Sequence, residues 1–114
     1  MRVIIAGTRT ITDYHLVKQA VVRSGMEITE IVSGGAKGVD SQGERYAEEY
    51  GIPVKRFLPD WSRYGRAAGH RRNQAMAQYA EGLILVWDGK SRGSANMLKE
   101  ARACKLNVFE VVTQ

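Results

Sequence analysis

Val3-Ile4-Ile5-Ala6-Gly7-Thr8-Arg9 is an apolar run that ends in a glycine, a hydroxyl and a guanidinium. A strand apolar at every residue has to be covered on both faces, which happens at the centre of a parallel sheet flanked by helices. Leu83-Ile84-Leu85-Val86 is a second such run. Working outward from these two, β-branched stretches alternate with amphipathic ones, the rhythm of βαβ units. Five strands are predicted, at about Arg2–Ala6, Glu27–Val32, Ile52–Leu58, Gly82–Trp87 and Leu106–Val112. Charge interrupts the third and fifth, at Lys55-Arg56 and Glu110, as suits edge strands.

Four helices are expected between the strands. The first is capped by Thr12 and ends near Gly25, because a threonine hydroxyl satisfies free amides and glycine tolerates the turn beyond a helix end. The others span about Val39–Tyr50, Arg66–Tyr79 and Ser94–Cys104, with apolar residues such as Met97, Leu98 and Ala101 at helical spacing. With the two fully apolar strands as central neighbours, right-handed crossovers give the order 3-2-1-4-5: a doubly wound α/β fold with a five-stranded parallel sheet and helices on both faces. Chain direction reverses between strands one and four, so a ligand is expected in the crevice at their carboxyl ends. The loops placed to reach it are Gly7-Thr8-Arg9, Ser33 to Asp40, Asp60 to Gly69 and Trp87 to Gly93.

A length of 114 residues, 44% hydrophobic, bounds the chain to one compact domain over residues 1–114. No apolar run approaches the roughly 20 residues that cross a bilayer, and Met1-Arg2-Val3-Ile4-Ile5-Ala6 is too short for a signal peptide's apolar region. The expectation is a cytoplasmic protein with no membrane partner. The single cysteine, Cys104, has no internal partner, and its neighbours Ala101, Ala103 and Leu106 suit a packed thiol. His15 and His70 lack metal-ligand spacing, so no metal site is predicted. No residue names a face for self-association, although a homo-oligomer paired through a helix face is compatible with so short a chain.

The net charge of +5 suits nucleic acid or a phosphorylated small molecule, and placement decides between them. Of 17 basic residues, eight fall in or just beyond the crevice loops: Arg9, Lys37, Arg63, Arg66, Arg71, Arg72, Lys90 and Arg92. Ser33-Gly34-Gly35-Ala36-Lys37-Gly38 follows a strand and opens a helix, so its glycines let backbone N–H groups approach an anion at a positive helix end. The same glycines would also serve a tight strand-to-helix turn. Lys37 precedes the last glycine and no Lys-Ser/Thr pair closes the loop, which excludes a Walker A motif.

Asp40, one turn into that helix, would repel a bound phosphate. It therefore suits a ribose hydroxyl, a pairing arginine or a helix cap. Arg72 shares a helix face with Ala68, Ala75, Met76 and Tyr79, which aims it at the packed side, where a charge needs a partner; Asn73 accompanies it. Trp87-Asp88-Gly89-Lys90-Ser91-Arg92-Gly93-Ser94 leads from the other central strand into the last helix, bringing small residues and hydroxyls to a second helix N-terminus. Trp87 or Trp61 could stack on a base or fill a packing gap.

These motifs, together with Gly69-His70-Arg71-Arg72-Asn73-Gln74-Ala75-Met76, resemble the SLOG superfamily over nearly the whole chain, and within it the YspA-like, YpsA-related branch. The resemblance implies a Rossmann-like domain that binds nucleotides or nucleotide-derived ligands, as a sensor in some members and an enzyme in others. The related LOG enzymes hydrolyse the N-glycosidic bond of nucleoside monophosphates with a Pro-Gly-Gly-x-Gly-Thr-x-x-Glu loop whose glutamate is catalytic. Here Ser33 replaces the proline, an extra residue separates Gly35 from Gly38, Val39 stands in the threonine's place, and no glutamate holds the equivalent position.

The loop also resembles the Ser-Gly-x-Ala-x-Gly-Ile-Asp stretch of the single-stranded DNA-binding protein DprA. The leading expectation is a small phosphorylated, nucleotide-derived ligand such as an ADP-ribose-like compound or a nucleoside monophosphate, with no further cofactor required. Ser33, Gly34, Gly35 and Gly38 would cradle its phosphate, Arg9, Lys37 and Arg72 would neutralise it, and Asp40 or Asp88 would contact the ribose. The alternatives are a nucleotide N-glycosidase using Asp40 or Glu44, and a binder of single-stranded DNA. Asp40, Asp60 and Asp88, among the basic residues of the crevice loops, suit a ligand with hydroxyls better than a polyanion.

Overall fold

A computed structural model describes residues 1–113. The strands are β1 (Arg2–Gly7), β2 (Glu30–Ser33), β3 (Val54–Arg56), β4 (Gly82–Trp87) and β5 (Asn107–Val112), all parallel in the order β3-β2-β1-β4-β5. The helices are α1 (Tyr14–Ser24), α2 (Val39–Tyr50), α3 (Trp61–Tyr64), α4 (Ala68–Tyr79) and α5 (Arg92–Ala103), with a turn of 3₁₀ helix at Gly65–Ala67. The doubly wound order read from the apolar runs is the order observed. Every residue of β4 is buried, as are Val3 to Ala6 of β1, whereas β3 is exposed throughout.

Because side chains alternate along a strand, each central strand feeds two cores. Ile4, Ala6, Leu83 and Leu85 pack with Met76, Ala77, Met97 and Leu98 of α4 and α5. Val3, Ile5, Ile84 and Val86 pack with Val17, Val21, Val39 and Ala47 of α1 and α2. Gly43 lets α2 lie against β1, since a Cβ there would come within 2.8 Å of Ile5.

Several local expectations are corrected. Asp13, not Thr12, caps α1, accepting from the amides of His15 at 3.0 Å and Leu16 at 3.3 Å. The predicted third helix is observed as α4, starting two residues later than expected, and the loop before it holds an unexpected short helix, α3, capped by Asp60 and closed where Gly65 at φ 53° turns the chain. β2 and β3 are shorter than their apolar stretches because pairing runs only where the neighbouring strand runs, from Arg2 opposite Glu30 and from Ile31 opposite Val54. Ser91 caps α5, which begins two residues earlier than expected. Cys104 is exposed rather than packed, because α5 ends at Ala103 and the chain turns away through Lys105 at φ 58°. Among the described residues no helix is long and apolar enough to cross a membrane.

Candidate functional site

The carboxyl ends of β1 and β4 open into a cleft of about 280 Å³. Its floor is Ala6, Met76 and Met97, and its rim is built from the loops after β1, β2 and β4 with the first turns of α2 and α5 and the second turn of α4. The two central strands converge at the bottom. A Cβ on Gly7 would sit 1.8 Å from the Val86 carbonyl oxygen, so only glycine lets β1 leave the sheet here. Thr8 then ties the ends together: its amide donates to Val86 O at 3.2 Å and its Oγ1 accepts from the Asp88 amide at 3.1 Å. Thr8 O accepts from the Val39 amide, which joins the first loop to the start of α2.

The glycine loop after β2 has its own internal anion. Ala36 donates its amide to Asp40 Oδ2 at 3.2 Å, and Gly35 donates to Ser33 Oγ at 3.1 Å. Ser33 Oγ in turn donates to Glu44 Oε2 at 2.6 Å, and Glu44 also pairs with Arg56. Ser33, Gly35 and Glu44 therefore brace the loop and do not line the cleft. Lys37 is exposed and also outside the lining.

Gly34 has a different task. A Cβ there would lie 2.6 Å from Arg72 Nη1 and 2.9 Å from Asp40 Oδ2, so its lack of a side chain lets those two charges reach the same place. Arg72 Nη1 donates to Gly34 O at 2.6 Å and Nε to Asn73 Oδ1 at 3.0 Å. The buried Asn73 donates onward to Asn96 Oδ1 at 2.8 Å and Gly93 O at 3.3 Å, so a chain of hydrogen bonds runs from the glycine loop to the start of α5. Of the three roles open to Asp40, the cap is not taken: Gly38 is the N-cap residue of α2, with no side-chain cap. Burial pushes its carboxyl above the usual range, opposed by the Ala36 amide and by Arg72 and Arg9. Burial likewise lowers the Arg72 guanidinium from its ordinary value, against the pull of Asp40.

On the opposite rim, Asp88 Oδ1 accepts from the amides of Lys90 and Ser91, both at 2.9 Å, which holds its carboxyl below the ordinary value and shapes the turn into α5. Asp88 and Gly89 thus form the loop rather than the cleft wall, and Trp87 turns into the core, its indole N–H donating to Glu110 Oε2 at 2.7 Å. Ser91, Gly93 and Ser94 do reach the cleft. Ser94 is 4% exposed and its Oγ has no hydrogen-bond partner, at the N-terminal turn of a 12-residue helix, where the Ser94 amide is capped by Ser91 Oγ but the positive end of the helix favours an anion.

Of the eight basic residues expected near the crevice, Arg9 and Arg72 line it. Arg63, Arg66 and Arg71 are exposed along α3 and α4. Asp40 is the one carboxylate on the cleft wall among the described residues, so of the two catalytic candidates it alone lines the cleft. Among the described residues no three His, Cys, Asp or Glu side chains gather to hold a metal. Sequence reading assigned Met76 and Met97 to packing only and missed their place in the cleft floor. Each follows a cleft residue, Asn73 or Ser94, by one helical turn, and that spacing is the signal that would have found them.

Fold and cleft together define an α/β domain of the Rossmann-like, doubly wound class with a cleft at the switch point between β1 and β4. More particularly, the chain belongs to the YspA, cpYpsA-related SLOG family, whose profile matches residues 1–64. Comparison with curated proteins gives no match. Among solved structures, the X-ray structure of DNA processing protein A (DprA) from Streptococcus pneumoniae is similar, with a TM-score of 0.76 and 19% sequence identity. The similarity covers 99% of this chain and 50% of that one, so the chain spans half the length of that protein and the likeness is one of fold.

Proposed function

We propose that the cleft binds a nucleotide or nucleotide-derived ligand, with its phosphate at the start of α5 and not in the glycine loop after β2. The observation that carries this reading is Ser94: a buried hydroxyl without a partner, on the cleft wall, at the positive end of a helix. Leaving such a group unsatisfied costs about 1–3 kcal/mol, which a phosphate oxygen accepting from it would recover. Arg9 and Arg72 supply positive charge across the cleft, and Asp40 beside them suits the sugar hydroxyls. The apolar floor of Ala6, Met76 and Met97 accepts the less polar part of the ligand.

Titration calorimetry with AMP tests the reading. Ser94→Ala removes an unsatisfied hydroxyl, so the variant should fold with equal or slightly greater stability yet bind AMP roughly tenfold more weakly. Unchanged affinity would contradict the phosphate position, and wild-type protein that ignores AMP at millimolar concentration would sink the nucleotide reading. Release of free adenine during the titration would turn the binder into a hydrolase, with Asp40 as the residue to replace.

A second reading, a single-stranded DNA binder, draws on the fold likeness to DprA and on Arg63, Arg66 and Arg71, exposed together along α3 and α4. For DNA the logarithm of affinity should fall by about 0.7 per neutralised phosphate for each logarithmic unit of salt, a slope of several units for a strand and less than about two for AMP.

A further inference from the structure

A second cavity of about 360 Å³ adjoins the cleft and shares Arg9, Ala36 and Arg72 with it. Its remaining wall is Gly34, Gly35, Leu58, Pro59 and Trp61. Leu58 is 67% exposed and Trp61 57%, in a molecule whose other large apolar side chains are mostly covered. The wall is also built in place. Asp60 accepts from the Arg63 amide at 3.1 Å and so fixes the turn that carries Trp61. Leu58 lies on Gly35, where a Cβ would come within 2.6 Å of its Cδ2, and Trp61 extends over Gly69 at the second residue of α4.

Charge and volume point the same way. Arg9 and Arg72 are the only charged side chains lining this second cavity, and they stand at its junction with the cleft. The cleft alone, at about 280 Å³, lies just below the roughly 300–1,000 Å³ used by small-molecule sites, room for about one nucleoside and its phosphate. An exposed indole beside an apolar leucine and proline, reached across two guanidiniums, offers a stacking surface to a second planar ring joined to the first through phosphate.

Building on the nucleotide reading above, we infer that Trp61, Leu58 and Pro59 form a second ring-binding subsite and that the ligand is a dinucleotide: two bases joined through a diphosphate that reaches from Ser94 at the start of α5 toward Arg9 and Arg72. The cleft then holds one nucleoside and the outer cavity stacks the other base on Trp61.

The experiment compares AMP, ADP-ribose and diadenosine diphosphate by titration calorimetry on the full chain and on Trp61→Ala and Trp61→Phe. Stacking predicts that diadenosine diphosphate binds wild type roughly tenfold more tightly than ADP-ribose, which carries the diphosphate but one base. Trp61→Ala should remove that advantage while AMP affinity stays within about twofold, and Trp61→Phe should keep most of it. Tryptophan fluorescence should be quenched by diadenosine diphosphate in wild type but not in Trp61→Phe, where the buried Trp87 is the remaining fluorophore.

If AMP binds but the second base adds nothing, or if Trp61→Ala leaves diadenosine diphosphate unaffected, the subsite is overturned and the nucleotide reading stands. If none of the three compounds binds, both fall. If an oligothymidylate displaces diadenosine diphosphate with a salt slope of several units, the outer cavity belongs to a polynucleotide strand and the dinucleotide assignment is overturned.

Discussion

At Asp40 two demands meet. The carboxylate is 6% exposed, accepts one amide, and faces two arginines without forming a close ion pair with either. Burial therefore outweighs its partners and raises its affinity for a proton. A carboxyl that holds its proton more tightly when folded than when unfolded adds stability that is complete below the unfolded value of about 4 and is lost as pH rises through the higher native value. Asp40→Asn cannot titrate. The melting temperature of wild type relative to Asp40→Asn should thus be highest in acid, decline as pH rises from about 4, and level off once native Asp40 is ionised. A flat difference would show that the Ala36 amide, Arg72 and Arg9 balance burial, and one that grows with pH that they outweigh it. The same titration bears on function, because an ionised Asp40 repels phosphate and suits a hydroxyl donor instead.

Among the elements, the junction of the first loop with α2 decides whether the cleft exists. Gly38 sits at φ 75°, and a Cβ there would lie 2.4 Å from both Thr8 O and Arg9 O. Gly51, beyond the other end of α2, has a similar φ of 66° but open space around it. The pair separates two effects that sequence alone merges. Gly51→Ala should cost about 1 kcal/mol, the strain of a left-handed residue, whereas Gly38→Ala should cost about 3 kcal/mol or more because backbone must also move. Urea midpoints at equal slope measure both, and equal losses would mean that the loops can part without penalty.

This junction also marks where sequence reading stops. Apolar runs revealed the central strands and hence the sheet order, since burial on both faces leaves no room for polar residues. The glycines of the Ser33–Gly38 loop announced close approach but not to what. The visitor at Gly34 is the protein's own Arg72, 38 residues away, and the acceptor for Ala36 is its own Asp40. A motif can say that an amide or a glycine awaits a neighbour; only tertiary contact says whether that neighbour is ligand or self. Ser94 was legible as a hydroxyl at a helix start, but its lack of a partner was not.

For the whole molecule, a sheet packed on both faces with its cleft at the junction of the two central strands couples ligand binding to global unfolding. β1 and β4 contribute to both cores, and the residues that end them, Gly7 and Trp87, sit beside the cleft or directly precede its rim. A ligand that binds there needs the ends of both central strands in place, so it should stabilise the domain as a unit by RT ln(1 + [L]/Kd). At a hundredfold excess over Kd that is about 2.7 kcal/mol, and for a chain of this size roughly 4 °C accompanies each kcal/mol, so AMP should raise the melting temperature by about 10 °C. Ser94→Ala at the same AMP concentration, binding tenfold more weakly, should gain only about 1.4 kcal/mol or 6 °C from a starting point no lower than wild type. Differential scanning calorimetry decides the matter. A single transition that shifts as a whole supports coupling through the central strands, whereas a ligand-sensitive shoulder on an unmoved main peak would mean that the rim loops open without the sheet and that the cleft is an independent unit.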